Sequence, residues 1–138
     1  MVITINQLNH LPSHMYKLLG NLNQEELRDI FLSSDITIIP SVMEATSLAA
    51  MEGMACGLPV ISTNVGGMPE IITHNTTGWL VNSKNSNEIV DILEKIINEE
   101  YDILKMGESA KKYVNENKSW HSIAKKVEKI YKDSLQYE

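Results

Sequence analysis

One cysteine, Cys56, is all that the 138 residues contain. No internal disulfide can form, and no cysteine-rich zinc site can be built. A reducing, cytoplasmic setting is the expectation that follows. Basic residues are also scarce: 12 lysines and arginines stand against 18 acids, a formal net charge of -6. That argues against nucleic acid as the main partner, because phosphate binding needs a concentrated basic face. No apolar run approaches the ~20 residues needed to span a bilayer, and the amino terminus lacks the basic-then-apolar pattern of a secretory signal. The histidines, His10, His14, His74 and His121, share no metal-ligand spacing, and no base is spaced to activate Cys56 as a nucleophile. What is present suits one folded domain: 43% of residues are hydrophobic and 22% charged, far from the composition of a disordered chain.

The shortage of cations is sharpest in the first 80 residues. There Lys17 and Arg28 face Glu25, Glu26, Asp29, Asp35, Glu44, Glu52 and Glu70. Beyond Leu80 the two signs nearly balance.

Local patterns place short strands and helices in alternation. Residues 2–5 and 15–19 read as strands. Asn23 with Glu26 makes a capping box, and Leu22 with Leu27 has the hydrophobic-staple spacing, which predicts a helix over 24–33 that buries Leu27, Ile30 and Phe31. The β-branched run 36–39, stopped by Pro40, predicts a strand buried on both faces. Ser47 is placed to cap a helix through Cys56, with Gly57 in the left-handed conformation that ends it. A strand over 59–63 leads into Gly66-Gly67, then Pro69 at a first helical position with Glu70 in its first turn. Asn75-Thr76-Thr77-Gly78 reads as a turn before a strand over 79–81. Asn85 with Glu88 predicts a second capping box, followed by an amphipathic helix bearing Ile89, Ile92, Leu93, Ile96 and Ile97. Two further helices are expected over 101–115 and 120–135, the last with Trp120, Ile123, Val127, Ile130 and Tyr131 on one side. Met51, Met54 and Met68 are expected in the core.

Buried strands alternating with helices predict an α/β fold, a Rossmann-like parallel sheet flanked by helices over residues 1–138, with its ligand crevice at the carboxyl ends of the strands. The best strands end at Pro40 and Thr63, so the crevice is expected between residues 41–47 and 64–70. Glu44 lies in the first of these loops. Glu52, the fifth residue of the helix capped by Ser47, sits about 6–8 Å from the helix start and leans back toward the same crevice. The free amides of that start suit phosphate, whereas the two carboxylates suit hydroxyl groups. A nucleoside diphosphate sugar satisfies both. Taken alone, Glu44 and Glu52 also read as a loop carboxylate and a solvated helix residue, and Gly66, Gly67, Pro69 and Glu70 read more readily as turn and cap chemistry than as ligands.

The residues Pro40-Ser41, Glu44 with seven residues before Glu52, Met54 through Ile61 as MACGLPVI, and Gly66-Gly67-Met68-Pro69-Glu70 together resemble the carboxyl-terminal signature of GT-B glycosyltransferases. The resemblance is to glycosyltransferase family 4, the retaining glycosyltransferase group 1, and runs from about Tyr16 to the final helix. It implies that Glu44 lies beside the transferred sugar and its phosphate as the catalytic residue, and that Glu52 holds ribose hydroxyls. Backbone amides of Thr46, Ser47 and Leu48 would contact the donor. It also implies a UDP-, GDP- or ADP-sugar donor, no obligatory metal and no other cofactor. Many members have Gly-Phe-Gly where this chain has Ala45-Thr46-Ser47.

Against that family, the expectation is a chain that begins inside the second of two Rossmann-like domains. The acceptor domain and the Arg and Lys that neutralise the diphosphate are then missing, and Lys17 and Arg28 match neither position. The leading expectation is the donor-binding portion of an enzyme making a polysaccharide, glycolipid or similar glycan, weak or inactive until an acceptor domain or acceptor-domain chain completes it. Peripheral membrane association of the complete enzyme is compatible with this. The alternative is a non-catalytic nucleotide-binding or interaction module; an unrelated flavodoxin-like module requires the paired glutamates to be coincidence.

Overall fold

The computed structural model describes residues 11–135, so the strand expected over 2–5 lies outside the described residues. Helix α1, Gln24–Leu32, starts as the capping box requires. The Glu26 amide donates to Asn23 Oδ1 at 3.0 Å and the Asn23 amide donates to Glu26 Oε2 at 2.9 Å. Leu27, Ile30 and Phe31 turn inward but are only half-buried. Residues 15–19 do not form a strand. A 3-10 turn over Ser13–Met15 follows Pro12, and Met15 and Leu18 stay exposed because no described strand runs beside them to take up a ladder.

Strands β1 (Thr37–Ile39), β2 (Val60–Thr63) and β3 (Gly78–Val81) form one parallel sheet in that order, with helix α2, Leu48–Ala55, crossing between the first two. Ile39 pairs with Ser62 and Ser62 with Leu80; Ile38 pairs with Ile61 and Ile61 with Trp79. Paired residues of parallel strands share a face, so these two rows define the two sides of the sheet. On the first side Val60 meets Ala50 and Met54 of α2, together with Met68, and with Ala110 and Val114 of helix α4, Ile103–Asn117. On the second, Ile61, Trp79 and Val81 meet Ile89, Ile92, Leu93 and Ile96 of helix α3, Ser86–Ile97. The buried Trp79 ring lies 5.0 Å from that of Tyr101 at a tilt of 54°.

The expectation that the first strand is buried on both faces fails at Ile38, which is 38% exposed. β1 is the edge of the described sheet, and the apolar stripe of α3 lies over β2 and β3 instead. On the opposite side α2 presses so close to β1 that a Cβ on Gly53 would collide with the Thr37 hydroxyl. Ile97, expected within the stripe of α3, is exposed at the helix end. Met54 and Met68 are fully buried and Met51 packs beside them, as core methionines should. Cys56 caps the end of α2 half-buried, next to Gly57, whose φ is +93°.

The second capping box does not form. Asn85 flanks α3 without a side-chain cap, and Glu88 reaches back past it. Its carboxylate accepts from the Asn82 amide at 2.7 Å, from Asn82 Nδ2 at 2.7 Å and from Asn85 Nδ2 at 2.8 Å. α4 begins at Ile103, two residues later than expected, because Asp102 caps it by accepting from the Lys105 amide at 2.9 Å. Helix α5, Trp120–Ser134, is capped by Ser119, and its apolar stripe is bare: Trp120 is 87% and Tyr131 69% exposed. None of the described helices is long and apolar enough to cross a membrane.

The hydrogen bond from the Asn82 amide, reinforced by the two side-chain amides, holds the Glu88 carboxyl below its ordinary value. A carboxyl depressed in the folded state adds stability above its unfolded pKa of about 4.3 and loses it as pH falls through the lower folded value. Glu88→Gln should therefore lower the melting temperature at pH 7, and thermal denaturation should show the gap from the parent closing on acidification below about pH 4.

Candidate functional site

Two loops leave the carboxyl ends of β1 and β2, and their backbones are locked together. The Thr63 hydroxyl donates to the Ser41 carbonyl at 2.5 Å, and the Gly67 amide donates to the Ala45 carbonyl at 2.9 Å. Gly66, at φ +53°, sits so near the Glu44 carbonyl that a Cβ there would overlap it. The two glycines thus serve loop-to-loop contact. Met68–Glu70 forms a single 3-10 turn with Pro69 in its first positions, and the Tyr113 hydroxyl of α4 donates to the Glu70 carbonyl at 2.8 Å. The second loop is held from both sides.

Ser47 is buried, and its hydroxyl accepts from the Ala50 amide at 3.3 Å, so that side chain is used in starting α2. What this stretch offers outward is backbone: the first amides of a helix have no acceptor within it. The exposed residues Thr46 and Leu48 line a groove of about 400 Å³. Glu52, half-buried, lines the same groove, with Gly67 and Glu70 beside it and Lys118 and Trp120 from the junction of α4 and α5 completing the wall. Glu44 is not part of that wall. Its carboxylate lies near the end of β1, where Ser41 Oγ approaches Oε2 at 3.5 Å. The structure therefore gathers Thr46, Leu48 and Glu52 on one groove, keeps Ser47 beneath it and leaves Glu44 at the strand end.

Lys118 is the residue that sequence reasoning missed. It ends α4, 66 positions beyond Glu52, and no local spacing connects the two. The groove so formed sets one ammonium and unsatisfied amides against the carboxylates of Glu52 and Glu70, an arrangement that suits a ligand carrying both anionic and hydroxyl groups. Arg28 is exposed and lines a second groove of about 240 Å³ between α1 and α2 that Glu52 also borders. Among the described residues, no three His, Cys, Asp or Glu side chains converge as metal ligands. His14, His74 and His121 are exposed, and His10 lies outside the described residues.

The family described as glycosyl transferases group 1 matches residues 6–116. A D-inositol 3-phosphate glycosyltransferase from Corynebacterium aurimucosum is 35% identical over 114 residues, covering 83% of this chain and 27% of that protein. The solved C-terminal domain of a glycosyl transferase group 1 family protein from Francisella tularensis superposes with a TM-score of 0.65 at 28% identity, over 76% of this chain and 53% of that one. HepE from Anabaena, solved in complex with UDP and glucose, shares the fold with a TM-score of 0.76 at 20% identity, over 85% of this chain and 32% of that one. The chain spans about a third of the length of the curated relatives it matches.

Because Gly66 combines a left-handed backbone with a carbonyl where its side chain would be, Gly66→Ala should cost at least about 1–2 kcal/mol. Urea denaturation checks this: a midpoint equal to that of the parent would show that the two loops do not need the contact.

Proposed function

We propose a donor-binding role, proceeding from the fact that the chain belongs to the glycosyl transferases group 1 family. It is the carboxyl-terminal, nucleotide-sugar-binding portion of a retaining family 4 enzyme with the GT-B fold. The observation that carries this reading is the shared wall of Thr46, Leu48 and Glu52 on a groove at the carboxyl end of a parallel sheet, where open α/β folds bind ligands. The solved HepE complex with UDP and glucose shows that the same fold accommodates this ligand chemistry.

The chemistry divides along the groove. Glu52 accepts hydrogen bonds from ribose hydroxyls, since an ionised carboxylate only accepts. Backbone amides of Thr46, Ser47 and Leu48 donate to the phosphate or the sugar, aided by the positive end of α2. These contacts are insensitive to the side chains there, which is how Ala45-Thr46-Ser47 stands where many members have Gly-Phe-Gly. Glu44, at the end of β1, lies beside the transferred sugar and its phosphate. Lys118 contributes positive charge to the groove, where developing charge on a leaving diphosphate needs it most. No obligatory metal or other cofactor enters this scheme.

The acceptor is a glycan or a lipid-linked molecule, bound by an acceptor domain or a separate acceptor-domain chain that completes the cleft and covers the bare stripe of α5. The enzyme is placed in the cytoplasm, with peripheral membrane association where the acceptor is lipid-linked, and its product is a surface polysaccharide, glycolipid or similar glycan.

Calorimetric titration with UDP, GDP and ADP tests the site. Glu52→Ala should weaken whichever of them binds by roughly tenfold or more, the loss expected when charged hydrogen bonds to two hydroxyls disappear. Equal affinity in parent and variant would sink the ribose role. Glu44→Ala, in contrast, should abolish sugar transfer in the completed enzyme while nucleotide affinity stays within about twofold, the split expected of a group acting at the sugar. Unchanged turnover would remove Glu44 from the reaction.

A further inference from the structure

Among the described strands β3 borders only β2, so its other side is a sheet edge. That edge is closed by groups from outside the three strands. The Gly78 carbonyl accepts from the Asn75 amide at 2.8 Å. Two residues on, the Leu80 amide donates to Nδ1 of His74 at 3.0 Å, and two residues further the Asn82 amide donates to the Glu88 carboxylate at 2.7 Å. Residues two apart in a strand present their backbone groups to the same side, so the three contacts form one row. Val81, between two of them, sends its carbonyl the other way, to the Asn64 amide just beyond β2 at 2.7 Å. Left bare, such a row is a template for another strand.

The three closures differ in what undoes them. The Asn75 amide does not titrate. The Glu88 carboxyl is held below its ordinary value, chiefly by the Asn82 amide, so this acceptor stays ionised until the solution is distinctly acid. His74 is the sensitive member. An imidazole nitrogen accepts only while it carries no proton, and a charged ring donates from both nitrogens and accepts at neither. Histidine is also the side chain whose charge changes nearest to neutral pH. His74 is exposed, so protons reach it from solvent. It lines a groove of about 260 Å³ together with Glu88, Asp91 and Lys95 of α3 and with Tyr101 ahead of α4. Two carboxylates in that wall give a charged ring something to face once it leaves Leu80.

We propose that His74 is a proton-operated clasp on the edge of β3. The neutral ring closes the Leu80 amide. The charged ring releases it and leaves the middle of that edge open to water or to another strand, while Asn75 and Glu88 still hold the two flanking positions. The contact is therefore made at higher pH and is lost as pH falls through the titration of the ring.

Amide hydrogen exchange of the isotope-labelled 138-residue chain tests the clasp, read by NMR from neutral pH downward until the His74 ring signals report full protonation. Corrected for the intrinsic pH dependence of exchange, protection of the Leu80 amide should fall roughly threefold to tenfold in step with the ring, the loss expected for one neutral hydrogen bond. The Asn82 amide should keep its protection over the same range, because Glu88 remains ionised. Two variants separate the titration from mere contact. His74→Asn places a non-titrating oxygen the same number of bonds from the backbone as Nδ1, and it should protect Leu80 at every pH. His74→Phe has no acceptor and should leave Leu80 weakly protected at every pH. Amides bonded between β2 and β3 should stay protected throughout, reporting that the sheet is folded. Leu80 protection that ignores the titration of the ring, that falls together with that of Asn82, or that is as high in His74→Phe as in the neutral parent would each overturn the proposal.

Discussion

The site depends on two backbones in direct contact at the end of the sheet. Gly66 and Gly67 seat the loop after β2 against the carbonyls of Glu44 and Ala45 in the loop after β1. Any side chain at that place would push the loops apart, and the loop after β1 carries Glu44 and leads directly into the cap of α2. The position of Glu52 then follows from helix geometry, one turn and a residue into a helix whose start is pinned by Ser47. A contact between main chains thus fixes where the site's carboxylates stand, and side-chain chemistry is layered on it.

The groove itself is electrostatically mixed. Carboxylates that would repel a phosphate stand opposite an ammonium and helix amides that would hold one, so a simple anion gains little and a simple polyol gains little. A molecule with hydroxyls and phosphate at a fixed separation satisfies both. Lys118 sits at the joint between α4 and α5, so the positive charge of the groove is tied to the orientation of α5, the helix whose apolar stripe has no described partner.

Much of this could be read from residue order alone, and the failures have definite physical causes. The cap of α1, the cap and glycine end of α2, the parallel strands and the core methionines are properties of adjacent residues, and local pattern carries them. The second capping box failed because two nearby asparagines competed for Glu88 more effectively than the Asn85 backbone did. β1 was read as doubly buried because a β-branched run has the same pattern at an edge as at a centre; which strand α3 covers is decided by chain packing. Lys118 and the second groove were illegible for the same reason, since each arises from elements remote in sequence. Of the two glutamates that the sequence singles out, only Glu52 lines the groove, since Glu44 stays at the end of β1.

The two tryptophans occupy opposite extremes. Trp79 is 1% exposed against Tyr101 in the core, while Trp120 is 87% exposed on the groove wall. The intrinsic fluorescence of the chain is accordingly a sum of two separable signals: an emission shielded from aqueous quenchers that follows the integrity of the sheet, and a red-shifted, quencher-accessible one that follows the groove and the start of α5. Unfolding and occupancy of the groove can be read from the same sample without attaching a label.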